Sequence, residues 1–151
     1  MAQSLCKIYI HLIYHIKTTS PQIRRVDLNR VHAYIGQLIN STGCIEIQTG
    51  GIGDHVHVLF LLSKDVPISR VVEEVKRNSS RWLKSLDCYY QMFAWQSGYA
   101  AFSVSQSVVD KTLQYIKQQE IHHKKHSFAD EYKEFLQLYQ VKYDEKYLFK
   151  D

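Results

Sequence analysis

Residues 6–17 alternate between apolar and polar positions. Ile8, Ile10, Leu12, Tyr14 and Ile16 fall on one side, Lys7, Tyr9, His11, His15 and Lys17 on the other, and Ile13 is out of phase. Period two with β-branched and aromatic residues predicts a strand with one face on a core, ended at Ser20-Pro21. From Asp27 the period becomes helical. Leu28, Val31, Ile35, Leu38 and Ile39 predict a helix that Ser41-Thr42-Gly43 stops. Residues 44–48 and 55–62 read as two strands of a hairpin, with Gly50-Gly51-Ile52-Gly53 as its turn.

Asp65 and Pro67 open a second helix, whose apolar stripe is Ile68, Val71, Val72, Val75, Trp82, Leu83 and Leu86. An irregular aromatic stretch, 89–95, and the breaker Gly98 precede a fourth strand over 99–105. Ser107 and Asp110 resemble a capping box for a third helix running to about Lys125. Ser127 and Asp130 repeat the signal for a last helix that turns Phe128, Tyr132, Phe135, Leu136 and Tyr139 inward. Residues 142–151 are charged and aromatic and receive no assignment.

The order β-α-β-β-α-β-α-α begins as a split βαβ arrangement. It predicts an α+β fold: a ferredoxin-like (RRM-like) antiparallel sheet backed by helices, with helical additions at the C-terminal end. With 151 residues, no repeat and no linker-like tract, residues 1–151 read as one domain with a proper core. No apolar run approaches the roughly 20 residues of a membrane helix. Lys7, His11 and Lys17 break the pattern a signal peptide would show. The expectation is a soluble, cytoplasmic protein with no membrane partner. Cys6, Cys44 and Cys88 form no CxxC pair, which argues against a disulfide framework or zinc knuckle. The net charge of +4 permits a nucleic-acid partner without demanding one.

The candidate chemistry lies in two places. In the strand from His55, alternation puts His55, His57, Leu59 and Leu61 on one face, so two imidazoles are neighbours beside a glycine-rich turn. Imidazole suits many divalent metals, and two ligands leave positions open for substrate oxygen. Far downstream, Tyr115 and Gln119 stand four apart on the third helix and share a face, which His122 and His126 continue. A phenol and an amide there offer a nucleophile and a further ligand. Basic residues add a route for phosphate. Arg70, Arg77, Arg81 and Lys84 line one side of the second helix, a side that could track a sugar-phosphate backbone. The run His122-His123-Lys124-Lys125-His126, just after Lys117, could bind phosphate. Each feature also has a plain structural explanation: a common dipeptide spacing, a tyrosine at the core edge, or a solvated charged helix face. The aromatics Tyr89, Tyr90, Phe93, Trp95 and Tyr99 could stack bases, but core or subunit packing is the better reading. A non-enzymatic nucleic-acid-binding module on the same fold would need neither the histidine pair nor the tyrosine.

Three segments in order carry a resemblance. They are His55-Val56-His57 set in apolar residues, Trp95-Gln96-Ser97-Gly98-Tyr99 before a strand, and Tyr115-Ile116-Lys117-x-Gln119-Glu120-x-His122-His123 followed by Ser127-Phe128-x-x-Glu131-Tyr132. Together they resemble the single-tyrosine HUH transposases of the insertion-sequence-200 type, over nearly the whole chain. The resemblance implies a catalytic helix carrying Tyr115 as nucleophile, with His55, His57 and Gln119 as ligands of Mg²⁺ or Mn²⁺. It further implies cleavage and rejoining of single-stranded DNA with hairpin ends, through a 5′-phosphotyrosine, by a homodimer. Arg70, Arg77, Arg81, Lys84, Lys117, His122 and Lys124 would then be the DNA contacts. Larger HUH enzymes, the replication initiators and relaxases, share the motif. The first strand ends in Lys17-Thr18-Thr19, where that type often has a Lys-Tyr-Arg-like run.

Overall fold

A computed structural model describes residues 2–150. The chain runs β1 (Tyr9–His15), α1 (Leu28–Ser41), β2 (Ile45–Ile52), β3 (His55–Leu61), α2 (Ile68–Leu86), β4 (Ala100–Val104), α3 (Val109–Lys117), α4 (Gln119–His122), α5 (Phe128–Leu138) and α6 (Glu145–Leu148), with short 3₁₀ turns between some of them. The four strands form one antiparallel sheet in the order β2-β3-β1-β4. That is the ferredoxin-like order predicted by the pattern.

Both faces of the sheet are covered. On one side α1 and α2 bring Val31, Ile35, Ile39, Val71, Val75 and Leu83 against Leu12, Tyr14, Val56, Val58 and Phe60. Tyr90, Phe93 and Trp95 complete this core, so three of the five aromatics are interior packing, while Tyr89 and Tyr99 stay exposed. On the other side α5 sets Phe128, Tyr132 and Leu136 over Ile13, Ala100 and Phe102. Beside them α3 sets Val109 and Ile116 over Tyr9, Leu59 and Val104. The second layer explains the out-of-phase Ile13: every residue of β1 is buried, so the strand is not half-solvated as alternation predicted. His11, His15, His55 and His57 lie on this second face, under helices rather than in water.

Three local expectations change. β2 continues through Gly50 and Gly51 to Ile52, which pairs with His55, so the turn is Gly53-Asp54 alone. A Cβ at Gly50 would stand 2.5 Å from the Ile116 carbonyl oxygen, so glycine there lets the end of α3 lie directly on the hairpin. Ser107 caps nothing. It sits in a 3₁₀ turn, and α3 starts after Val108 with no side-chain cap. Ser127 does cap α5, its hydroxyl accepting from the Asp130 N–H at 3.2 Å. The predicted long third helix breaks at Gln118, whose backbone leaves helical values, into α3 and α4. The break lets α3 bury Ile116 on the hairpin while α4 separately turns Gln119 into the protein.

Candidate active site

β3 supplies the first two side chains. The tight Gly53-Asp54 turn places Asp54 beside His55, whose Nδ1–H donates to the Asp54 carboxylate at 2.7 Å. Burial alone would raise the Asp54 pKa, but the His55 contact holds it below the usual carboxylate value. Two residues on, the His57 Nδ1 lies 2.8 Å from the Nε2 of His11 on β1. The outer nitrogen of each ring is thus tied, and both Nε2 atoms turn into the space between the sheet and α4–α5. Outer partners of this kind fix the ring orientation of metal-binding histidines.

α4 and α5 close that space. The Gln119 Oε1 stands 2.8 Å from the His55 Nε2, and its Nε2 donates to the Glu131 Oε2 at 3.1 Å. Glu131, on the first turn of α5, is the centre of the site. Its Oε1 lies 2.9 Å from the His57 Nε2 and 3.5 Å from the His55 Nε2. Its Oε2 accepts from the Tyr115 hydroxyl and lies 3.3 Å from the His122 Nε2. His55, His57, Gln119 and Glu131 are all about 1 % exposed or less. One carboxylate therefore links the histidine pair, through Oε1, to the phenol, through Oε2.

The electrostatics follow from this burial. Desolvation draws the His57 pKa down to about 4 despite Glu131 beside it, so the ring is neutral at pH 7. Burial, with His57 adjacent, likewise pulls His11 well below its ordinary value. Burial would raise Glu131, but hydrogen bonds from His123 and His57 hold it well below the carboxylate range, so it is ionised. Burial and the Glu131 carboxylate both push the Tyr115 phenol up. The result is a buried anion between the neutral His57 ring and a protonated phenol, with the His123 pKa drawn up against burial by its contact with Glu131.

A divalent cation fits this donor set. The His55 Nδ1 is tied to Asp54, its Nε2 faces the Gln119 oxygen, and the Gln119 amide is in turn held by Glu131. His55, His57 and Glu131 each offer a ligand atom within 4.8 Å of the others.

The structure thus brings together Tyr115, His55, His57, Gln119 and His122 within one chain. Lys117 and Lys124 lie exposed around this cluster, on the last turn of α3 and just beyond α4. A cleft of about 250 Å³ opens beside the phenol, lined by Tyr115, Gln118, Ile121, His122, Lys125 and His126. Arg70, Arg77, Arg81 and Lys84 are not brought to the site. They are exposed on α2, across the sheet from the histidines, and Arg77 is paired with Glu73 and Glu74. Sequence reasoning gave no role to His11 and Glu131, and it read His123 only as part of a run that could bind phosphate. His11 carried a signal, a polar residue inside an apolar strand. Glu131 and His123 belong to the segments that carry the family resemblance but have no spacing that ties them to His55.

Comparisons with known proteins bear on the fold and the family. No curated protein matches the chain. Among solved structures it is similar to a protein from Deinococcus radiodurans R1 classed as a transposase, with a TM-score of 0.58 at 20 % identity, covering 79 % of this chain and 98 % of that one. It is also similar to the REP-associated tyrosine transposase bound to a REP hairpin, with a TM-score of 0.59 at 13 % identity, covering 82 % and 73 %. At such identities these two likenesses establish a shared fold. The family model "Transposase IS200 like" matches residues 4–119, a stretch that takes in the histidine pair, Tyr115 and Gln119 and stops short of His123 and Glu131. Matched across most of its length, the chain belongs to the IS200-like transposase family.

Proposed function

We propose that this transposase cleaves and rejoins single-stranded DNA at insertion-sequence ends by attack of Tyr115 on a backbone phosphate. The observation that carries the reading is the shared carboxylate: Glu131 touches the phenol with one oxygen and the histidine pair with the other. A phosphodiester resists nucleophiles because it is anionic. A divalent cation, Mg²⁺ or Mn²⁺, held by His55, His57, Glu131 and Gln119 would supply charge neutralisation at the phosphate.

The protein's own residues do the rest. Packing against the sheet fixes Tyr115 in place, and its hydroxyl proton points at Glu131. As the phenol oxygen bonds to phosphorus, its proton passes to Glu131 and the bond from phosphorus to the 3′-oxygen breaks. The products are a 5′-phosphotyrosine and a DNA 3′-end that takes up a proton from water. The new ester keeps the energy of the old bond, so another 3′-OH can reverse the step without ATP. Gln119 holds Glu131 through its amide, and His122 stands beside the same oxygen, where an incoming phosphate would displace or join it.

His122 lines the phenol cleft, and with the exposed Lys117 and Lys124 near it in sequence it is proposed to hold the flanking phosphates. Arg70, Arg77, Arg81 and Lys84 are proposed as contacts only for DNA that wraps to the far face. The hairpin bound by the REP-associated neighbour supports hairpin-ended DNA as substrate. Because Tyr115 meets the histidines of its own chain, the chemistry is complete in one subunit; a homodimer would serve to hold two ends.

The test is incubation of labelled single-stranded DNA from the element's ends with Mn²⁺, read on a denaturing gel. Wild type gives a protein–DNA adduct, Tyr115→Phe gives none while still binding the hairpin, and His57→Ala loses metal-dependent cleavage. Normal cleavage by Tyr115→Phe, or undiminished activity in EDTA, would refute the proposal.

A further inference from the structure

A third imidazole faces the same space. The His123 Nδ1 lies 2.8 Å from the backbone carbonyl oxygen of His126. A carbonyl can only accept, so Nδ1 carries a proton and the ring's other nitrogen, Nε2, is turned inward. That nitrogen stands beside two oxygens: Gln119 Oε1 at 3.0 Å and Glu131 Oε1 at 3.2 Å. The His123 side chain is only 3 % exposed, and its ring centroid lies 4.5 Å from that of His55. His126 thus does for His123 what Asp54 does for His55: it ties the outer nitrogen and turns the inner one into the cluster.

The two Glu131 oxygens divide the surroundings. Oε2 takes the phenol, the Gln119 amide and His122. Oε1 takes His55, His57 and His123. Around Oε1 and the Gln119 oxygen, the separations between donor atoms run from 2.8 to 3.5 Å. Ligands at right angles on one dication, each at about 2.1 Å, stand about 3.0 Å apart. The spacing matches, with three buried imidazoles, a carboxylate and an amide oxygen gathered round one point.

We propose that His123 is a ligand of the same cation as His55, His57, Glu131 and Gln119, and that this three-imidazole site selects a transition-metal dication over Mg²⁺. Imidazole nitrogen suits Zn, Cu, Fe and Ni, and Mn²⁺ stands at the foot of the same first-row series, whereas Mg²⁺ demands oxygen, keeps several waters and is held through one or two carboxylates. The inference rests on the reading of the histidine pair as a metal centre, and it narrows Mg²⁺ or Mn²⁺ to the latter type of ion. His122, a quarter exposed on the phenol side, lies within 4.8 Å of His123 and Glu131 and is left out of the proposed ligand set because it meets the other Glu131 oxygen.

The test uses the full chain and Mn²⁺ alone, without DNA. Pulsed EPR of bound Mn²⁺ counts coupled imidazole nitrogens, and loss of the free-ion signal gives the affinity. Wild type shows three coupled imidazoles. His123→Ala and His123→Gln show two, bind Mn²⁺ at least about tenfold more weakly, the scale on which a site's ligand environment moves metal affinity, and lose most of the preference over Mg²⁺ measured by displacement. Thermal melting confirms that at least one variant is folded. Two imidazoles in wild type and both variants, with unchanged affinity, would overturn the role of His123 alone, provided His55→Ala still removes one. If His55→Ala also leaves Mn²⁺ binding untouched, the metal reading of the whole site falls with it.

Discussion

Removing the His11 ring isolates the contribution of a residue that touches neither substrate nor phenol proton. His11 is 2 % exposed and lies 2.8 Å from the His57 Nδ1. Its ring also packs edge-on against Phe135, with centroids 5.1 Å apart. His11→Phe keeps the volume and loses the nitrogen. The His57 Nδ1 is then a buried polar atom without a partner, a loss of about 1–3 kcal/mol. For a chain of this size that corresponds to a melting temperature lower by about 3–10 °C. The second effect is on the cation. A ring that no longer has its outer nitrogen fixed is a poorer ligand, and loss of such partners weakens metal binding by roughly 10–100-fold. His11→Gln, which can still meet the His57 Nδ1, recovers part of both. Urea denaturation and Mn²⁺ titration by EPR read the two effects separately. If His11→Phe melts lower but binds Mn²⁺ as tightly as wild type, His11 is core filling and its positioning role is refuted.

Four further outcomes follow from the same contacts. Glu131→Gln keeps the size but removes the anion shared by the phenol and the histidines; adduct formation falls by at least about 100-fold, the loss associated with a positioned proton acceptor, whereas a variant within threefold of wild type would contradict the role. Gly50→Ala drives a Cβ into the Ile116 carbonyl and costs about 1–3 kcal/mol in chemical denaturation; an unchanged midpoint would show that α3 does not rest on the hairpin. His57 is neutral in the fold, with its pKa near 4 against about 6.5 unfolded; its stabilisation is full above pH 6.5 and is lost as pH falls toward 4, up to about 3 kcal/mol, so His57→Gln should flatten the acid limb of a melting-temperature profile. Replacing Lys117 and Lys124 by alanine lowers the salt dependence of single-stranded DNA binding by about 0.7 for each phosphate that the protein no longer neutralises; an unchanged slope would place the DNA elsewhere.

Much of the scaffold was legible because one period dominates each element. Leu28, Val31, Ile35 and Ile39 repeat as only a helix repeats, and three of the four are completely buried. The hairpin, the strand order and the Ser127 cap follow from equally local signals. What failed to show was the second layer. A strand buried on both faces by histidines on one side looks half-solvated, because histidine counts as polar in the pattern; Ile13 and Leu59 were the only hints. The Gln118 break was hidden for a related reason. Nothing in 107–125 forbids a continuous helix, and the break exists because Ile116 and Gln119 are buried by different neighbours.

The site divides in the same way. His55 and His57 are legible because alternation alone puts them together, and Tyr115 and Gln119 because they are one helical turn apart. Glu131 and His123 reach the cluster through the loop between α4 and α5, a tertiary route that no spacing encodes. The basic stripe of α2 shows the converse. Arg70, Arg77, Arg81 and Lys84 do share a helix side, as the period demands, but the helix lies on the other face of the sheet from Tyr115. Periodicity identifies a face of an element without saying what that face looks at.

The central claim is that Tyr115 itself becomes bonded to DNA. Its most direct test is digestion of the Mn²⁺-dependent protein–DNA adduct followed by peptide mass spectrometry. The account predicts one modified peptide, with the nucleotide phosphate on the Tyr115 oxygen and none on the other ten tyrosines. A nucleotide on another residue, such as Tyr132, or cleavage that leaves no covalent peptide at all, would contradict it.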